Sequence, residues 1–442
     1  MEEMSKKQLH VALFPWLAMG HINPYIHLSN QLAKRGHRIS ILIPQKAVLR
    51  LGTNNHYPNL IKFYPLPVPH VQGLPPGVET ASDIDLHDND LLAIAFDAMS
   101  DPVELLLLAL KPNLVLYDAA YWIPNLAPVI GFKTVCYMVV GASGIAQIPP
   151  GDGKPTEQCP SDAVKLRRGD LWSLRNTTGS FGAISAQDRF CRAFQACDFI
   201  SIRTCRELEG AMCDYMSRQY NKPVVLTGPI LPETPECGLE EKWAEWLSRF
   251  ESRSVVYCAF GSQHILQKNQ FQELVLGFEM TGLPFLLALS KPKGANSLEE
   301  ALPEGFSERV GDRGVVHEGW VQQTQILNHP SVGCFVGHCG FGSMWESLFS
   351  DAQIVLVPWL PDQILNTRLL SEEIKVAVEV ERGGDGWVSK EDLCKAIKSA
   401  MDGDSEVGNL IKKNHSEWKK TLSSPGFMDN YVDDFVKHLN EL

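Results

Sequence analysis

The alternation of short apolar runs with helical stretches constrains this chain more than any other feature. Residues 9–14 have the apolar, β-branched and aromatic content of a strand. Residues 15–22 make a loop that ends at the cap Asn23-Pro24, residues 24–35 are expected to be helical, and Gly36 leads into a second strand at 37–43. A crossover that carries a helix joins parallel strands, and it does so right-handedly. The theme recurs with strands at 60–64, 114–117 and 133–139, helices near 90–110 and 123–130, a helical stretch at 180–197, and strands at 199–202 and 224–227. After residue 250 it starts again: strands at 255–260, 285–289 and 315–318, and a helix near 269–280. Strands alternating with helices predict doubly wound α/β sheets.

The richest stretch is VGCFVGHCGFGSMWESLF, where a strand at 332–336 passes through a glycine-rich turn into helical spacing from Ser343. A helix start leaves backbone N–H groups unpartnered and partly positive, and Gly337, Gly340 and Gly342 let an anion approach them. No Gly-Lys-Ser/Thr follows, so this is not a P-loop. The third glycine of a dinucleotide fingerprint is missing too. The flanks, which begin at Trp320 and Gln323, suit the parts of a nucleotide sugar: the Trp320 indole as a platform for a base, the Glu346 carboxylate for ribose hydroxyls, His338 and Ser343 for phosphate, and Asp362 with Gln363 for sugar hydroxyls.

With 442 residues, 44% hydrophobic, the chain exceeds what one core usually spans, and two domains are expected. The best linker is 229–239, rich in proline, which separates a first domain, 1–228, from a second, 240–424. Forty Lys and Arg against 52 Asp and Glu, a net charge of −12, make nucleic acid an unfavourable partner. Eleven scattered cysteines without a CxxC pair suit a reducing compartment, and the polar first ten residues carry no secretory core. With no integral membrane segment in view, a cytoplasmic location is expected, and a monomer is the default.

Two further residues are candidates for chemistry. His21 lies in the loop after the first strand, directly before a helix, where ligands sit in open α/β sheets. It is either a general base or a structural loop histidine. Asp118 follows the 114–117 strand at the same sheet edge, and is either the partner of His21 or a helix cap.

From Trp320 to Gln363 the chain has the full 44-residue length of the donor-binding box of plant family 1 UDP-glycosyltransferases, and it resembles that family throughout the segment. The resemblance implies the GT-B architecture: two Rossmann-like domains facing a central cleft, the first taking the acceptor, the second the UDP-sugar, with residues 425–442 crossing back onto the first domain. LFPWLAMGHINP and LVLYDAAYW occupy the places of the family's catalytic histidine and its partner aspartate, which makes His21 the base and Asp118 its helper. The resemblance further implies Ser262, His338, Gly340 and Ser343 as diphosphate contacts, Trp320 stacking on uracil with a main-chain contact at Val321, Gln323 and Glu346 on the ribose, and Asp362 and Gln363 on the donor sugar. It implies no metal and no cofactor beyond the UDP-sugar co-substrate. Transfer is expected to invert the anomeric centre.

The chain departs from the common pattern where Phe341 and Gly342 replace Trp-Asn, and where Gln322 replaces a proline. HCGFGSMWESL is similar to the subgroup that adds a sugar to the sugar of a flavonoid or related phenolic glycoside, with UDP-glucose, UDP-xylose or UDP-rhamnose as donor. Direct glycosylation of an aglycone is the first alternative. A non-catalytic nucleotide-sugar binder is the second, although it predicts the loss of His21 or Asp118. A nicotinamide-dependent dehydrogenase is a third and weaker one.

Overall fold

The computed structural model describes residues 8–151, 157–176, 179–232, 238–261 and 265–442. Contacts divide the chain into two compact units, one of residues 1–161, 177–233 and 426–442, the other of 162–176 and 234–425. Residues 233–237 of the proline-rich linker lie outside the described residues.

The strands of the first unit are β1 (His10–Phe14), β2 (Arg38–Pro44), β3 (Ile61–Leu66), β4 (Leu114–Tyr117), β5 (Lys133–Met138), the hairpin β6 (Ser180–Phe181) and β7 (Ile184–Ser185), then β8 (Phe199–Ile202) and β9 (Val224–Leu226). Its main sheet has the order β3-β2-β1-β4-β5-β8-β9, and every pairing is parallel. The reversal of direction about β1 and β4 is what two right-handed series of crossovers produce. Central strands such as β4 and β8 are buried at every position, because helices cover both faces, whereas edge strand β3 is buried only at its two ends, Ile61 and Leu66.

The second unit repeats the plan with β10 (Val255–Ala259), β11 (Phe285–Ala288), β12 (Gly314–His317), β13 (Val332–Gly337), β14 (Gln353–Leu356) and β15 (Ala377–Glu379). The parallel order is β12-β11-β10-β13-β14-β15. Its core joins Phe271, Leu274 and Phe278 of one helix to Leu393 and Ile397 of another across Val256, Cys258 and Val336.

Three local expectations change. The first helix runs Met19–Lys34 rather than from Pro24, because the Ala18 carbonyl accepts from both His21 and Ile22 and closes a turn upstream; Pro24 costs only one rung. The expected helix at 90–110 is two, Asn89–Asp97 and Ser100–Leu110, since Pro102 has no N–H for the Ala98 carbonyl four residues back. Residues 180–185 form the hairpin instead of helix, turning at Gly182 with φ +82°, and Ser185 caps the helix Ala186–Ala196 by accepting from Asp188 N–H.

Residues 162–176 lie inside the first span of sequence but pack in the second unit. Asp170 meets Arg368 at 3.2 Å, and Trp172 fills the space that glycine leaves at 386, where a Cβ would stand 2.4 Å from the indole. The C-terminal helix Phe427–Glu441 packs in the first unit, burying Val432, Phe435 and Leu439 among Tyr25, Tyr137 and Phe199, while Arg35 pairs with Asp433 at 2.6 Å. Phe435 is fully buried, so Phe435→Ala should destabilise the first unit by roughly 3–5 kcal/mol. Calorimetry should show an early transition, and an unshifted profile would contradict this packing.

Candidate active site

In the first unit, Phe14 and Tyr117 are register partners on neighbouring strands, so the chain leaving β1 and the chain leaving β4 emerge side by side. Asp118 is the next residue and is fully buried. Its Oδ2 lies 2.7 Å from His21 Nδ1, and its Oδ1 accepts the N–H groups of Trp16, at 2.7 Å, and Ala119. A buried carboxylate is costly unless its lone pairs are met, and these three donors meet them. Asp118 can only accept, so the proton of the imidazole sits on Nδ1 and Nε2 keeps a lone pair. The His21 side chain is 22% exposed. It belongs to the first turn of the helix rather than to a loop, which fixes its backbone; the Trp16 contribution to the pair is a main-chain contact that no side-chain pattern announces.

In the second unit, β13 ends at Gly337 and the helix Phe341–Phe349 begins after the cap Gly340. The turn is crowded by the His338 ring. A Cβ on Gly340 would lie 2.4 Å from His338 Nε2, and one on Gly261 would lie 3.1 Å from its Cε1, with Gly261 at φ +70°. Both positions therefore exclude larger residues. Cys339 adopts φ +59°, and its carbonyl is held by Asn366 at 3.1 Å. Burial pushes the His338 imidazole down to about 4, with the Ala259 backbone opposing that shift only in part, and its Nδ1 is buried without a hydrogen-bond partner. Burial also pushes the Cys339 thiol up to about 12, so it is inert.

Gln323 is the hub of the neighbouring polar cluster. Its amide nitrogen donates to Ser343 Oγ at 3.2 Å and to the Glu346 carboxylate, and its amide oxygen accepts from Tyr257 at 3.2 Å. Tyr257, inside the apolar strand β10, was not among the sequence candidates, and nothing in that strand's pattern singles it out. Val321 is buried and its carbonyl accepts Gln323 N–H, whereas the Trp320 indole is 81% exposed. Asp362 and Gln363 open the helix Pro361–Arg368. Gln363 Oε1 accepts the N–H groups of Trp359 and Leu360, so its amide nitrogen is what it can offer a ligand. Phe341 is buried edge-on against Trp345, and Gly342 borders open space. Ser262 lies outside the described residues.

The whole chain is similar in fold to solved plant glycosyltransferases of the GT-B type. It matches Arabidopsis thaliana UGT89C1 complexed with UDP-L-rhamnose with a TM-score of 0.78 at 23% identity, over 98% of this chain and 99% of that one. Against Glycyrrhiza uralensis UGT73P12 complexed with glycyrrhetinic acid 3-O-monoglucuronide the TM-score is 0.81 at 20% identity, over 98% and 96%. The fold is thus GT-B. Residues 252–417 match the family model for UDP-glucoronosyl and UDP-glucosyl transferase. The chain is 52% identical over 440 residues to UDP-glycosyltransferase 79B9 of Arabidopsis thaliana, covering 99% of this chain and 98% of that protein. It is 50% identical over 459 residues to the anthocyanidin 3-O-glucoside 2'''-O-xylosyltransferase of the same plant, covering 98% and 97%. It belongs to plant family 1 of the UDP-glycosyltransferases and is a UDP-dependent glycosyltransferase. Among the described residues, no helix is long and apolar enough to cross a membrane.

Burial also lowers His415, which bonds the Ser347 and Leu348 carbonyls, to about 4, and His27 to about 3. The unfolded chain takes up these protons near pH 6.5, while the folded chain refuses them until about 4 or below. Stability is therefore full above pH 6.5 and is lost as pH falls from 6.5 towards 4. Unfolding temperatures should show this decline, and His415→Gln should make it smaller; an unaltered decline would contradict the contribution of His415.

Proposed function

We propose that this enzyme transfers a sugar from a UDP-sugar, with inversion, to a hydroxyl on the sugar of a flavonoid or related phenolic glycoside, forming a branched glycoside. The observation that carries the mechanism is the 2.7 Å pairing of His21 with fully buried Asp118, which leaves Nε2 as the basic nitrogen. Nε2 takes the proton of the acceptor hydroxyl as its oxygen attacks the anomeric carbon opposite the UDP. The bond from that carbon to the diphosphate oxygen breaks, and UDP leaves with the electron pair. Asp118 holds the tautomer and stabilises the imidazolium that forms.

The donor reading assigns the exposed Trp320 indole to uracil, with a main-chain contact at Val321, and Gln323 and Glu346 to the ribose. Ser262, His338, Ser343 and the backbone at Gly340 meet the diphosphate, so that hydrogen-bond donors rather than a metal ion take up its growing charge. Asp362 and the Gln363 amide bind donor-sugar hydroxyls. Phe341 and Gly342 leave that end without the indole and amide of the common pattern. The name of the 50% identical xylosyltransferase supports a glycoside acceptor, and UDP-xylose, UDP-glucose and UDP-rhamnose are the donors to test.

His21→Ala should lower turnover by about 10²- to 10⁴-fold while UDP affinity, measured calorimetrically, stays unchanged. Glu346→Ala should instead weaken UDP binding by about tenfold, the loss of about one charged hydrogen bond. Product mass spectrometry with the three donors against a flavonoid aglycone and its 3-O-glucoside tests the acceptor. A sugar added to the glucoside is expected, and an increment mainly on the aglycone would overturn branch formation.

A further inference from the structure

The first unit contains a fully buried arginine, Arg189, whose five N–H groups are all used. Nη1 and Nη2 grip both oxygens of Asp97 at 2.8 and 2.7 Å. Nε and Nη2 donate to the Phe181 carbonyl at 3.0 and 2.6 Å, and Nη1 donates to the Ala119 carbonyl at 3.0 Å. The guanidinium faces the rings of Tyr121, at 5.0 Å, and Phe181, at 4.8 Å. Glycine at 182 makes room for it, since a Cβ there would lie 2.9 Å from Nη2.

Two of these contacts lead to Asp118. The N–H of Ala119 donates to Asp118 Oδ1, so this one residue is held at its nitrogen by the carboxylate and at its carbonyl by Arg189. The other donor to Oδ1 is Trp16 N–H, and the Trp16 ring packs edge-on against Phe181 with centroids 4.5 Å apart. Both residues that orient the Asp118 carboxylate are thus secured by one side chain. A clamp for the hairpin β6–β7 alone would need only the bonds to Asp97 and Phe181.

We infer that Arg189 is a positioning residue for the reaction, fixing Asp118 and through it His21 by way of Ala119 and Phe181. The inference rests on the reading of His21 and Asp118 as base and helper. Lysine keeps the charge beside Asp97 but cannot make the five-bond fork. Arg189→Lys should lower kcat about 10- to 100-fold through misalignment of the dyad. KM for the UDP-sugar and UDP affinity, which depend on the second unit's residues, should stay within about twofold. In an Asp118→Asn background the lysine substitution should cost little more, because the group it positions is already disabled. Asp97→Asn, which keeps the arginine and the shape of its partner, should give a smaller loss of kcat in the same direction and serves if Arg189→Lys does not fold. An unchanged kcat in both variants, or losses that multiply in the Asp118→Asn background, would overturn the inference. An active His21→Ala enzyme would instead overturn the base assignment itself, so the two failures are distinguishable.

Discussion

The candidate site of the first unit depends on one buried carboxylate. Asp118 is placed by the end of β4, beside the end of β1, because those two strands are neighbours in the sheet. Burial would make the carboxylate expensive if it were unpaired, and pairing turns that cost into precision. One oxygen is saturated by main-chain N–H groups and cannot wander, so the other is left aimed at His21. The order of the imidazole therefore derives from the order of the backbone around residues 16 and 119, which Arg189 in turn secures.

The glycine-rich turn of the second unit works by exclusion. His338 occupies the turn before the helix so closely that Gly340 has no room for a Cβ, and Gly261, at φ +70°, would meet the same ring at 3.1 Å. Gln323, Ser343, Glu346 and Tyr257 form a closed polar cluster that presets the direction of each group. Preset donors gain most where charge accumulates, because no reorganisation is needed when it does.

A second buried cation marks the edge of this unit. Arg382 lies between the rings of Trp172 and Trp359, at 4.9 and 4.6 Å, and burial pushes its guanidinium down to about 9 even with Glu379 and Asp170 nearby. Together with the Asp170–Arg368 pair, this stack explains why residues 162–176 pack with residues that follow them by about two hundred positions. No local pattern in residues 162–176 reports that partner.

The alternation of apolar runs and helical spacings sufficed to determine the doubly wound class and the position of nearly every strand, because burial on both faces of a parallel strand leaves an unbroken apolar run. The glycine-rich turn and its flanks determined the class of ligand by residue type alone, and the length of the match identified the family. Misplaced were the features that depend on hydrogen-bond closure: the first helix begins at Met19 because the Ala18 carbonyl was available, and the helix near residue 98 breaks because Pro102 is not a donor. Only the tertiary structure decided that His21 and Asp118, 97 residues apart, touch, that Tyr257 steadies Gln323, and that Arg189 stands behind Ala119. Periodicity records which face of an element is buried. It does not record what the face is buried against, since that depends on strand order and on loop conformations set by distant parts of the chain.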